Sequence, residues 1–210
     1  MGAVVLLTVG SCALGAVLYR AQLRETARFT EALPSPRRTA LTGALAFAAA
    51  AAACGPHQHL AALLWAVAFG VPLALVDLAE HRLPRRLTYP SAVGTLLLLG
   101  AADLAGDRTG SALSALYGAL VLWAVFWLMA LVLPFGRGDA DLGLTVGAVL
   151  GWYGFTALFE GVFLGFLLAG LYGTAKLAAR RAGRRDELPF GPFLLLGALL
   201  AVAFRQWVVR

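Results

Sequence analysis

Eight stretches of apolar residues alternate with short polar connectors, at about 2–19, 39–54, 60–79, 90–104, 111–133, 141–153, 156–178 and 190–208. Several approach the roughly 20 residues that an α-helix needs to cross hydrocarbon. None shows the sustained residue-by-residue alternation of a membrane β-strand. The pattern predicts an all-α polytopic membrane protein of about eight transmembrane helices, with residues 1–210 as a single membrane-embedded domain. The fourth and sixth stretches are short for a full crossing and are expected to extend into the interface or to break. The turn Gly151-Trp152-Tyr153-Gly154 separates the sixth from the seventh.

The basic residues support this division independently. Fourteen of the seventeen lysines and arginines fall in alternate connectors. These are Arg20, Arg24, Arg28, Arg37 and Arg38; Arg82, Arg85 and Arg86; Arg137; and Lys176, Arg180, Arg181, Arg184 and Arg185. The other face keeps Arg108, Arg205 and Arg210. Positive charge is retained on the cytoplasmic side, so these connectors are expected inside and both termini outside. The expected location is the inner (cytoplasmic) membrane.

Composition narrows the class further. The chain is 60% hydrophobic and 13% charged, with a mean hydropathy of +0.81. A water-soluble domain of 210 residues could not bury that much apolar surface. The net charge of +6 is explained by the basic connectors facing anionic lipid headgroups, so membrane lipid is an expected partner and nucleic acid is not. Cys12 and Cys54 form no Cys-x-x-Cys pair and read as packing residues. A cleaved signal peptide is not expected, because no basic side chain precedes the first apolar stretch.

Within this apolar frame, two carboxylates stand out. Asp77 ends the third stretch and Asp139 precedes the sixth, so both belong to the same membrane face. An ionisable group at membrane depth costs about 2.5–3.5 kcal/mol on insertion scales and marks function by default. Gly143, Gly147 and Gly151 recur at every fourth position, the spacing of close helix contact. This stripe is expected to bring the sixth helix against the third, and Asp139 toward Asp77.

The surroundings of the two aspartates match a known family. Asp77 followed by Leu83-Pro84 and Leu87-Thr88-Tyr89-Pro90 resembles the first motif of type IV prepilin peptidases. Gly136-x-Gly138-Asp139-x-x-Leu142 resembles their Gly-x-Gly-Asp signature, and Pro189-Phe190-Gly191-Pro192-Phe193 is similar to the segment that opens their last helix. The resemblance covers about residues 60–208. It implies a membrane aspartic endopeptidase that cleaves leader peptides from prepilins or pseudopilins at the cytoplasmic face, with Asp77 and Asp139 as the catalytic pair.

Two close carboxylates cannot both ionise easily, so one keeps its proton while the other activates water, and neither metal nor cofactor is expected. Helix-end electrostatics assigns the base to Asp139, at a helix N-terminus, and the acid to Asp77, near a helix C-terminus. Gly136 and Gly138 are expected to adopt unusual backbone angles and to admit an extended substrate strand; with Pro84 they are the expected substrate contacts. The family usually has lysine where this chain has Asp141, and Asp or Asn where it has Arg85. The connector at 20–38 is too short for the paired Cys-x-x-Cys motifs that accompany N-methylation in longer relatives, so a short form without methyl transfer is expected.

His57 and His59 read as solvated residues of an outer connector, Glu80 and His81 as interfacial polar groups, and Glu160 as a structural anion near a helix N-terminus. The five tryptophans read as packing or interface anchors. Two rival functions accompany the peptidase: an inactive relative serving pilus or secretion assembly, and a proton-coupled transporter. A transporter would favour carboxylates near the bilayer midplane, whereas these two lie at one edge.

Overall fold

The structure is a computed structural model that describes residues 35–132, 136–179 and 189–208, together with residues 9–11, 13, 15, 24 and 26–28. Seven helices have defined bounds: α1 Pro36–Cys54, α2 Leu60–Glu80, α3 Arg85–Leu104, α4 Ala112–Val132, α5 Arg137–Trp152, α6 Phe155–Ala178 and α7 Gly191–Val208. They correspond to the second through eighth apolar stretches. Residues 9–11, 13 and 15, within the first stretch, are helical too, and no strand occurs among the described residues. Cys12 lies outside them.

Helices α2, α3, α4 and α6 are long and apolar enough to cross a membrane; the apolar parts of α1 and α7 are shorter. Their outer faces carry Leu97, Leu104, Leu128, Val132, Phe155 and Phe159, each more than half exposed. Leaving such side chains in water forfeits about 25 cal/mol for every Å², whereas lipid covers them at no such loss. The protein interior is built instead from small residues with a few large ones, among them Phe47, Leu73, Phe126, Leu142 and Trp152.

The start of one helix departs from the pattern in the sequence. Helix α3 starts at Arg85 rather than near Pro90, because Pro84 caps it and its carbonyl accepts the N–H groups of Leu87 and Thr88 at 2.9 and 3.2 Å. Pro90 therefore sits inside the helix, where it removes one backbone donor. Gly94, one turn further, leaves room for the Trp65 indole, whose N–H donates to the Pro90 carbonyl at 3.1 Å. The break between α5 and α6 falls where expected, with Gly154 at a φ of 100° that favours glycine.

The glycine stripe of α5 faces α4, not α2 as expected. A side chain on Gly151 would come within 2.7 Å of the Ser114 carbonyl, and one on Gly147 within 2.8 Å of the Ala119 Cα. Gly118 of α4 supplies the matching gap. Helix α4 wins this contact because it is the antiparallel neighbour through the connector at 133–136 and carries small residues at 115, 118 and 119. The two aspartates are thus brought together by other contacts.

Because successive helices run in opposite directions, the bundle has two ends. Asp77, Leu83, Asp139 and Gly191 lie at one end; Cys54, His59, Asp107 and Tyr153 lie at the other.

Candidate active site

Asp77 sits in the last turn of α2 and is 4% exposed. The helix is capped four residues later at His81, whose left-handed backbone (φ 52°, ψ 38°) lets its N–H return to the Asp77 carbonyl at 3.0 Å. That cap turns the chain sharply into Leu83 and Pro84. His81 lies just beyond the helix, and Glu80, its last residue, pairs at the surface with Arg82 at 3.7 Å.

Leu83 is the packing centre of this end. A side chain on Gly138 would meet the Leu83 Cβ at 2.8 Å, and one on Gly191 would meet the Leu83 Cδ1 at 3.4 Å and Asp77 Oδ2 at 3.0 Å. The absence of side chains at these two positions lets α5 and α7 close on Leu83 and Asp77. The Gly191 N–H then donates to Asp77 Oδ2 at 2.9 Å. Phe190, its ring tilted 42° against that of Phe166 at 4.7 Å between centroids, packs at the start of α7.

Asp139 lies in the first turn of α5, just ahead of the sixth apolar stretch at 141–153. Its Oδ1 is shut off from solvent and has no hydrogen-bond partner among the described residues. Burial, and next the negative charge of Asp77, push this carboxyl up to about 7. The two aspartates predicted from sequence are therefore within electrostatic reach of one another.

The two aspartates sit in different surroundings. Asp77 accepts a backbone N–H at the first residue of α7, a contact that favours the anion, whereas Asp139 is half-buried with an unpartnered oxygen. Burial and the charge of Asp77 oppose the anion at Asp139, although it lies in the first turn of α5. A carboxylic acid at Asp139 beside a carboxylate at Asp77 can donate and accept a proton in one step.

The backbone expected of the two signature glycines is corrected as well. Gly136 has ordinary extended angles (φ −68°, ψ 127°) and caps α5, while Gly138 is helical; the positive-φ glycines among the described residues are Gly55, Gly106 and Gly154. Gly138 gives Leu83 space, and Gly136 gives space to the Asp139 carboxyl, whose Oδ2 would lie 2.7 Å from an added Cβ. Gly136 is exposed, and Pro84 is half-buried as the cap of α3.

Arg85 and Asp141, the two departures from the family pattern, are partners. Arg85 Nε donates to Asp141 Oδ2 at 2.9 Å, and the Tyr89 hydroxyl lies 3.5 Å from Oδ1. Asp141 thus carries its own counter-charge. A pair separated by 56 residues could not be read from either motif alone.

At the far end, His59 is fully buried, not solvated. Its Nδ1 lies 2.8 Å from Asp107 Oδ2 and its Nε2 2.7 Å from the Tyr153 hydroxyl, while Thr109 Oγ1 accepts the Trp152 indole N–H at 3.1 Å. The carboxylate missing from the histidine's own connector comes from the connector after α3. Nearby, Arg205 reaches Glu160 at 3.4 Å, Thr156, and the Tyr153 carbonyl at 3.0 Å. Glu160, read from sequence as a structural anion, thus has a counter-charge in Arg205.

Comparison with known proteins agrees with this architecture. Residues 64–174 match the model of the Type IV leader peptidase family. A prepilin leader peptidase/N-methyltransferase of Aeromonas salmonicida (strain A449) is 32% identical over 158 residues, covering 72% of this chain and 51% of that protein. The protein of the same name from Aeromonas hydrophila is 32% identical over 177 residues (81% and 58%), and that of Pseudomonas aeruginosa 30% over 145 (66% and 47%). The chain spans about half the length of these curated relatives. No solved structure matches it. With both motifs inside the matched segment, the chain belongs to the type IV leader peptidase family.

Proposed function

We propose that this chain is a membrane aspartic endopeptidase that removes leader peptides from type IV prepilins or pseudopilins at the cytoplasmic face of the inner membrane. The observation that carries the reading is the gathering of two carboxyls at one end of the bundle, Asp77 held by the Gly191 N–H and Asp139 with its Oδ1 shut off from solvent. The names of the relatives support the substrate class. The basic connectors Arg82, Arg85, Arg86 and Arg137 at the same end support its orientation toward the cytoplasm.

In the proposed reaction the Asp77 carboxylate takes a proton from a water molecule as that water attacks the scissile carbonyl carbon. Asp139 gives its proton to the carbonyl oxygen, forming a neutral tetrahedral diol. Collapse of the diol breaks the C–N bond. Asp77 returns its proton to the leaving nitrogen, and Asp139 recovers one from the diol hydroxyl. Gly136 and Pro84, at the solvent side of the pair, are the proposed contacts for an extended substrate backbone.

The 210 residues hold two cysteines, Cys12 and Cys54, and no Cys-x-x-Cys pair. Methyl transfer is therefore not among the activities proposed for them. Co-expression with a prepilin tests the reading: a leader-sized mobility shift is expected, and Asp77→Asn and Asp139→Asn should each abolish it. Full processing by either variant would remove that residue from the mechanism. Transfer of a methyl group from S-adenosylmethionine by the purified protein would contradict the absence of the second activity.

A further inference from the structure

The ends of α3 and α5 next to the aspartates are joined by an ion pair that the reaction above does not use. Asp141 is the buried member, with 5% of its side chain exposed, and Arg85 is 64% exposed. A buried carboxylate needs a partner more than a surface guanidinium does. Arg85 also occupies the first position of α3, where the positive end of the helix dipole opposes a cation. The energetics of α3 alone therefore give no reason for an arginine there; the Asp141 carboxylate does.

The pair belongs to a continuous seam. One turn beyond Asp141, the Thr145 hydroxyl donates to Ser91 Oγ of α3 at 3.1 Å. One turn before it, Gly138 rests on Leu83. Asp139 lies between these contacts, with an Oδ1 that no hydrogen bond orients among the described residues. Residues two apart on a helix point about 200° from each other. Holding Asp141 against α3 therefore turns Asp139 to the opposite side of α5, away from that seam.

We propose that Arg85 and Asp141 are positioning residues. Their ion pair sets the rotation of the first turn of α5 about its axis, and with it the direction of the Asp139 carboxyl. What the site requires is opposite charge at the two positions, in either order. The inference rests on the peptidase reading for its activity readout alone.

The test is charge reversal in the full chain, in nanodiscs and in cells co-expressing a prepilin. Arg85→Asp and Asp141→Arg each place like charges in contact and should lower processing by about tenfold or more. The double variant should recover to within about threefold of the original chain. In parallel, carboxyl-resolved ¹³C NMR follows the titration of Asp139, assigned by its loss in Asp139→Asn. Both reversals should displace the midpoint and the double variant should restore it. A pure field effect would instead move the midpoint in opposite directions in the two single variants and leave their processing unequal.

Single variants with full processing and an unmoved midpoint overturn the proposal, as does a double variant no better than the singles. If the unaltered chain processes no prepilin, the peptidase reading fails, and the two single-variant midpoints still decide the clamp: shifts in the same direction support it and shifts in opposite directions overturn it. If the reversals do not fold, Arg85→Gln removes the charge while keeping a donor. A lowered Asp139 midpoint in that variant, opposite to the rise that loss of a nearby cation alone produces, supports the clamp; an unmoved or raised one overturns it.

Discussion

The backbone N–H of Gly191 donates to Oδ2 of Asp77 at 2.9 Å, joining residues 114 positions apart. This bond ties the end of α2 to the start of α7 and gives the Asp77 carboxylate a partner that cannot rotate away. A Cβ at Gly191 would sit 3.0 Å from that oxygen, closer than ordinary contact allows. Gly191→Ala is therefore expected to lower processing by about tenfold, the loss that follows from a sub-ångström displacement of a reacting group. Folding, followed by size-exclusion profile in detergent, should be unchanged.

Asp139 yields a pH prediction. Its folded-state value of about 7 lies above the ordinary 3.8, so the folded protein favours the protonated form. Stability is therefore lost as pH rises from about 4 through 7, and levels off above it. Asp139→Asn, which mimics the protonated acid, should raise the thermal midpoint in detergent at pH 8 by about 2–4 °C. The same substitution should leave it nearly unchanged at pH 4. Activity of the unaltered chain should fall as pH climbs past about 7, because the acid is then ionised.

The interlocked glycines of α4 and α5 set a steric prediction. Gly147 approaches the Ala119 Cα so closely that an added Cβ would lie 2.8 Å from it, and the obstacle is backbone, which cannot turn aside. Gly147→Leu should destabilise the bundle by roughly 2–4 kcal/mol, in the range of severe overpacking. The measurement is the fraction unfolded in a detergent titration. Gly100→Ala, with nothing within 4 Å of its added Cβ, is the control expected to be neutral.

The buried His59–Asp107 pair predicts a second pH dependence, of opposite sign to that of Asp139. Burial holds His59 below its ordinary 6.5 even though Asp107 opposes the shift. Burial pushes Asp107 up, but hydrogen bonds from Thr109 and His59 outweigh it and hold the carboxyl well below the usual range. For the histidine, stability is lost as pH falls below about 6.5, where the unfolded chain takes up a proton first. Asp107→Asn, which removes the ionised partner, should cost about 2–3 kcal/mol at neutral pH. Comparing denaturation midpoints of the variant and the original chain checks this.

Much of the frame was legible because hydrophobic runs and basic connectors carry the physics of the bilayer directly. Asp77 and Asp139 stood out against an apolar background for the same reason. Contacts between distant segments were not legible. Asp107 was unremarkable in its connector until folding set it against His59, and the glycine stripe of α5 named a close contact without naming the helix across from it. Helix ends are visible in sequence, whereas the Gly191 N–H that reaches Asp77 exists only once α7 has docked.

Only four residues, His81 to Pro84, separate α2 from α3, and the first of them is locked in a left-handed turn. Asp77 and Arg85 therefore ride on one stiff hairpin and cannot shift past each other. Any motion that parts the two aspartates to admit a peptide has to be carried by α5. Such a motion would strain the seam with α3 before it disturbed Asp77. One half of the pair is thus a stationary anvil, and the adjustable half is the one whose proton comes and goes near neutrality.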